Sequence, residues 1–109
     1  MRPKDIGTRA ETAVVNYLRP VFPTVERRTL AGASDRGDIA GIPGVVIEVK
    51  DCARADLAGW VKEALAEARH DGESIGVVWH KKRGKSSPAD WYVTMDGATF
   101  TVILTELTR

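Results

Sequence analysis

Four side chains have types and spacing that could do chemistry together: Glu11, Asp38, Glu48 and Lys50. The last two interrupt the otherwise apolar segment VVIEVK. Residues two apart in a strand share a face, so Val46, Glu48 and Lys50 point one way and Val45, Ile47 and Val49 the other. The second set is a core face. Burying the first set with unpaired charges would be costly, so that face must border a cleft or carry partners. The ordinary structural reading is a Glu48–Lys50 ion pair on a solvated sheet face, which contributes little. The company of this pair changes the reading. Asp38 lies ten residues before Glu48 across a tight turn, and Glu11 sits at the edge of an apolar helical stripe beside Val14 and Leu18. Three converging carboxylates suit a hard divalent cation such as Mg²⁺, with the lysine left beside it for chemistry.

Parity decides whether the carboxylates can meet. A strict two-residue turn within Ile42–Val45 would set residue 39 opposite 48 and turn Asp38 away from Glu48. Co-facing requires an odd-numbered loop, such as Ile42-Pro43-Gly44, or a bulge near Gly37 or Gly41. The expectation is therefore a hairpin that is not a clean two-residue one.

The elements that must position these groups follow from periodicity. Ile6, Ala10, Ala13, Val14, Tyr17 and Leu18 mark a helix over 6–18, stopped by Pro20 and Pro23. Val25–Leu30 reads as a strand, and Arg36–Lys50 as two strands turning at Pro43-Gly44. Leu57, Val61, Ala64, Leu65 and Ala68 mark a second helix over 56–70, with Asp56 as N-cap and Gly72 just past its end. Ile75–His80 reads as a buried strand and Trp91–Met95 as an alternating one. Asp96 then caps a last helix carrying Phe100, Ile103, Leu104 and Leu107. The order α-β-β-β-α-β-β-α implies an α/β domain, a mixed central β-sheet flanked by α-helices.

Composition bounds the rest. A chain of 109 residues implies one domain over 1–109, able to bury a core without a metal or disulfide staple. The lone Cys52 forms no internal disulfide, and one Cys with two His is too few for a structural zinc site. No apolar run approaches a membrane span, and the first residues lack the apolar region of a signal peptide, so a cytoplasmic protein is expected. The net charge of +1 hides segregation: residues 51–73 hold six acids against three bases, and Lys81, Lys82, Arg83 and Lys85 follow within five positions. Such sorting creates local positive fields that a sum conceals. A solvated loop is the plain reading of KKRGK, and core packing that of most of Trp60, Trp79 and Trp91. His70 and His80 read as surface or strand-end residues, and Cys52 as a small inert neighbour of the site.

Glu11 on the first helix, Gly37-Asp38, and Glu48-x-Lys50 together resemble the PD-(D/E)XK nuclease superfamily, with GD in place of PD. The closer likeness is to small archaeal-type Holliday junction resolvases and their phage-encoded relatives, and it covers roughly residues 5–104. The resemblance implies a restriction-endonuclease-like fold and hydrolysis of DNA phosphodiesters to 5′-phosphate ends. It implies Mg²⁺, with Mn²⁺ substituting, held by Asp38, Glu48 and the Val49 carbonyl, with Glu11 on a second metal or its water. Lys50 would orient or activate water, and Ser34 resembles an assisting loop serine. The helix after the E-x-K strand carries a glutamine in many members; here Lys62 or Glu63 stands in that region. Arg9, Arg27, Arg28, Arg36, Lys81, Lys82, Arg83 and Lys85 would contact phosphates, which adds affinity without sequence choice. A homodimer acting on branched or four-way DNA in the cytoplasm, a host's if phage-encoded, completes what the resemblance implies. A general nuclease for flaps, nicks or ends and a non-catalytic nucleic-acid-binding protein with this fold are the alternatives. Setting Glu11, Asp38 and Glu48 against bound cations leaves 16 bases facing 12 acids.

Overall fold

The computed structural model describes residues 3–28 and 37–109. Helix α1 (Pro3–Leu18) leads into strands β1 (Glu26–Arg27), β2 (Ile39–Ala40) and β3 (Val45–Lys50), then helix α2 (Leu57–His70). Strand β4 (Ile75–His80), a short 3-10 turn (Pro88–Asp90), β5 (Tyr92–Thr94) and helix α3 (Gly97–Leu107) complete the chain. The expected element order is present, with the 3-10 turn added. The strands form one mixed sheet in the order β1-β2-β3-β4-β5. Only β3 and β4 run parallel, joined by α2 as their crossover.

Odd-numbered residues of the central strands face one core. Ile47, Val49, Ile75 and Val77 pack there with Ala10 and Val14 of α1, and Val102 and Ile103 of α3 border them. Even-numbered Val78 packs on the other side against Trp60 and Ala64 of α2. The sheet is thus covered on both faces, with α1 and α3 opposite α2. Close approach of α2 depends on Gly76, where a methyl group would come 2.5 Å from the Ala64 carbonyl oxygen.

Helix boundaries follow their caps. The Asp56 carboxylate accepts from the Gly59 N–H at 3.1 Å, and Asp96 accepts from the Thr99 N–H at 2.8 Å. Gly72 takes φ +72° just past α2.

Two helical faces depart from expectation. In α2 the buried residues are Trp60, Ala64, Glu67 and Ala68, whereas Leu57 is exposed. The stripe is rotated because Trp60 packs on Val78 and the small Ala64 and Ala68 meet Gly76. In α3, Thr99 is buried and Ile103 borders the core, but Phe100, Leu104 and Leu107 face outward. The first strand is also shorter than 25–30. Its ladder covers Glu26 and Arg27, and residues 29–30 lie outside the described residues. No helix among the described residues is long and apolar enough to cross a membrane.

Candidate functional site

The hairpin that carries Asp38 and Glu48 has the odd-loop register. Ile39 pairs with Ile47, one residue off the register that a strict Ile42–Val45 turn would give, and the Asp38 and Glu48 carboxylates come into contact. Pro43 and Gly44 make the turn, Gly44 at φ +86°, with the Val45 N–H directed at the Ile42 carbonyl at 3.5 Å. Pro at the second turn position and a positive-φ glycine at the third is the type II sequence pattern. Gly37 precedes the strand at φ +95°, and a methyl group there would strike Val46 Cγ1 at 2.5 Å. Only glycine allows the chain to enter β2 so close to β3.

Asp38 is fixed on both its backbone and its side chain. Its N–H donates to the Ile47 carbonyl at 3.1 Å, and its carboxylate accepts the Val49 N–H at 2.7 Å. Burial and the facing Glu48 charge push its pKa up to about 8, with Glu11 adding to the rise and the Val49 N–H opposing it. Glu48 is only 5 % exposed. Burial, a hydrogen bond to Glu67 and the charges of Glu67 and Glu63 push it up to about 9, against the pull of Lys50. One Glu48 oxygen, Oε2, is buried and meets no donor among the described residues.

Lys50 bridges strand and helix. Its ammonium lies 2.7 Å from Glu63 Oε1 and 3.6 Å from Glu48 Oε1. Burial alone would lower its pKa, but Glu63, Glu48 and Asp38 together hold it above the ordinary lysine value. It remains an ammonium at neutral pH, a fixed positive charge rather than a general base.

Glu11 stands slightly apart. Its Oε1 accepts two bonds of 3.3 Å from the Arg27 guanidinium, while its charge still acts on Asp38. Helix α2 supplies what the sequence analysis lacked. Glu67, 3 % exposed, joins Glu48 and Glu63 in a group whose carboxylate oxygens lie within 4.8 Å of one another. Glu63 arose as a stand-in for a helical glutamine; Glu67 did not arise. The missing signal was the phase of α2, which the Trp60, Ala64 and Ala68 spacing carries once Trp60 is assigned to the buried face.

The donor set is chemically coherent for a hard cation. It consists of carboxylate oxygens, one of them buried without a donor, beside a lysine too strongly paired to lose its proton. Lewis acidity and a lowered pKa for bound water are what such a cation supplies.

The basic segment starts beside Lys50. The Lys81 N–H donates to the Lys50 carbonyl at 2.9 Å, and the Trp91 indole N–H holds the Lys85 carbonyl at 2.8 Å. Lys81, Lys82, Arg83 and Lys85 are all exposed on this anchored turn. Lys82 lies over the Tyr92 ring at 5.5 Å from its centroid. Beyond the ends of β3 and β4, a cavity of about 410 Å³ is bordered by Arg9, Asp51, Lys81, Ser86 and Trp91.

The remaining basic candidates divide. Arg28 makes a bidentate pair with Asp71 at 3.1 and 3.2 Å, tying the end of β1 to α2. Arg27 is half-exposed and bound to Glu11. Ser34 and Arg36 lie outside the described residues. Of the tryptophans, Trp60 and Trp91 are buried, and Trp79 donates its indole N–H to the Pro88 carbonyl at 3.2 Å. His80 ends its strand with Nε2 2.7 Å from Thr94 Oγ1, and Cys52 is exposed just beyond β3. No protein-family model, curated protein or solved structure matches this chain.

Proposed function

We propose that this protein is a Mg²⁺-dependent, structure-selective DNA endonuclease of the PD-(D/E)XK kind, with a restriction-endonuclease-like domain. Holliday junction resolution is its most specific activity under this reading. One observation carries it: the Asp38 and Glu48 carboxylates meet at the hairpin, with Lys50 beside Glu48 and a basic turn anchored to the Lys50 carbonyl.

Asp38, Glu48 and the Val49 carbonyl would hold the cation in this reading. The Asp38–Val49 hydrogen bond fixes one carboxylate rotamer in advance, which reduces the ordering needed on binding. Lys50 supplies positive charge where negative charge grows on the phosphoryl oxygens. Glu63 keeps that ammonium charged and aimed. The exposed Lys81, Lys82, Arg83 and Lys85 would take flanking phosphates of either strand, and Arg9 extends the basic border toward α1. Two copies related by a two-fold axis would present two such sites for symmetric cuts in a junction met in the cytoplasm.

The test is cleavage of labelled four-way junction, linear duplex and single strands, with Mg²⁺ or EDTA, by wild type and Asp38→Asn. Paired symmetric nicks with 5′-phosphate ends, lost in EDTA and in the variant, are the expected result. Equal cutting of every substrate would leave a general nuclease acting on flaps, nicks or ends. Binding without cutting, unchanged by Asp38→Asn, would make the chain a non-catalytic DNA-binding protein.

A further inference from the structure

One face of the sheet carries a row of rings that grows more exposed toward the sheet's edge. Parallel pairing sets Lys50 beside His80, and antiparallel pairing sets His80 beside Tyr92. Cross-strand partners share a sheet face, so Lys50, His80 and Tyr92 form a line across three strands. Trp60 of α2 is buried, with its ring 5.5 Å from that of His80, and the Tyr92 ring follows 6.0 Å beyond. His80 Nε2 lies 2.7 Å from Thr94 Oγ1, which holds the imidazole in place behind Tyr92. The outermost ring, Tyr92, is 53 % exposed on β5, the last strand of the sheet. Tyrosine offers a large flat contact with little side-chain freedom to lose, and here its neighbours already orient it.

The same ring borders the basic turn. Lys82 lies 5.5 Å from the Tyr92 centroid, Arg83 and Lys85 are exposed, and no acid intervenes before Asp90. The Trp91 indole N–H on the Lys85 carbonyl keeps this turn in place. A fixed aromatic face among cations is the arrangement that holds a strand whose bases are free of partners. Inside a duplex the base faces cover one another, so only an unpaired or extruded base reaches such a ring. The geometry points to Tyr92 as a stacking platform for an unpaired base, with Lys82, Arg83 and Lys85 on the phosphates of that strand. A stacked base contributes roughly five- to 150-fold in affinity, against about two- to fivefold for an exposed cation–π contact. The base therefore displaces Lys82 from the ring, and the ammonium moves to the neighbouring phosphate. Strands ~4.8 Å apart put Tyr92 roughly 10 Å from Lys50 along the row, about three stacked base steps of ~3.4 Å. Tyr92 thus selects DNA with an unpaired nucleotide a few positions from the phosphate at Lys50. This assignment rests on the nuclease reading for DNA as the ligand.

Fluorescence anisotropy in EDTA, with a labelled oligo-dT and an abasic oligonucleotide of the same length, tests this apart from cleavage. Both strands carry the same phosphates, and only the first carries bases. The wild type is expected to bind oligo-dT roughly fivefold or more tightly than the abasic strand. Tyr92→Ala should lose that preference while binding the abasic strand within about twofold of wild type, and Tyr92→Phe should keep it. Tyr92→Leu retains apolar bulk against His80 without a π-face, so it should also lose the preference, with Tm measured for each variant. Lys82→Ala should weaken both strands alike, as a phosphate contact does. Equal wild-type affinity for the two strands, or a preference retained in both Tyr92→Ala and Tyr92→Leu, would overturn the assignment. So would polyglutamate that competes as well as oligo-dT, which would leave a general anion-binding turn. Absence of junction cleavage with these binding results intact would reject the nuclease and keep the stacking site. Cleavage by a wild type that shows no preference for bases would do the reverse.

Discussion

The Lys50 ammonium is closer to Glu63, at 2.7 Å, than to Glu48, at 3.6 Å, although Glu48 is its neighbour on the same strand face. The lysine of the E-x-K segment is thus clamped by a helix across from it. Removing that clamp should change the ionisation of Lys50 before it changes the fold. In Glu63→Gln at saturating Mg²⁺, the alkaline limb of the cleavage rate should shift to lower pH, with less than about tenfold loss at pH 7.5. Lys50→Ala should cost about a hundredfold or more at pH 7.5, where the native lysine is charged. A pH–rate profile from 6 to 10 checks both. An unmoved alkaline limb in Glu63→Gln would remove Glu63 from any part in keeping Lys50 charged.

Stability should depend on pH in a direction unusual for carboxylates. Asp38 is raised to about 8 and Glu48 to about 9, each from an ordinary value near or below 4.5. The folded chain therefore binds protons that the unfolded chain has released, and this contribution is fully present below the unfolded pKa. It is lost as pH rises through the window from about 5 to 9. In EDTA, Tm should fall by several degrees across that window. Because a cation needs the same carboxylates ionised, the Mg²⁺-induced rise in Tm should be larger at pH 9 than at pH 6. Thermal melts at constant ionic strength with and without Mg²⁺ measure both slopes. A Tm in EDTA that climbs from pH 5 to 9 would contradict the buried, proton-binding state of these acids.

Much of this architecture was legible because it is local. Asp56 and Asp96 announce their helices through side-chain caps, and the alternation of VVIEVK separates a core face from the Glu48–Lys50 face. The faces of α2 and α3 were less legible. An apolar count places Leu57 on the buried stripe of α2 and excludes a glutamate, yet the helix seats Trp60 and Glu67 inward. That phase depends on Gly76 and Val78, contacts made across the sheet that periodicity does not register. Spacing leaves the meeting of Asp38 and Glu48 to the parity of the hairpin, and the Glu48–Glu67 contact joins residues from a strand and its crossover helix. In the same way, the Arg28–Asp71 pair joins the end of β1 to the end of α2, a contact that periodicity does not register.

If the chain is the nuclease proposed, its DNA binding should be salt-sensitive through the anchored basic turn. Lys81, Lys82, Arg83 and Lys85 are exposed, while Arg28 is committed to Asp71. Each phosphate contact contributes about 0.9 to the slope of log K against log salt on duplex DNA. Replacing Lys82, Arg83 and Lys85 together by alanine should lower that slope by roughly 2–3, with equal loss for all sequences. Arg28→Ala should instead lower Tm and leave the slope within error. Fluorescence anisotropy between 50 and 300 mM salt separates the two. A slope unchanged by the triple substitution would place the DNA elsewhere on the molecule.

Asp38→Asn should separate stability from function. The variant removes one of two facing carboxylates that burial has already driven toward protonation, and its amide oxygen can still accept the Val49 N–H. Nothing in the local hydrogen bonding is forfeited, while the repulsion from Glu48 and Glu11 disappears. In EDTA at pH 8 the variant should be more stable by about 1 kcal/mol, a rise in Tm of roughly 4–8 °C for a domain of this size. At pH 5, where the native Asp38 already holds its proton, the two chains should melt within a degree or two of one another. Cleavage should be lost at both pH values, because an amide is a poor substitute for a carboxylate toward a hard cation. The trade is the one expected of a site whose charges are kept together for a ligand rather than for the fold. A variant less stable than the native chain at pH 8 in EDTA would mean that the Asp38 carboxylate serves the hairpin itself.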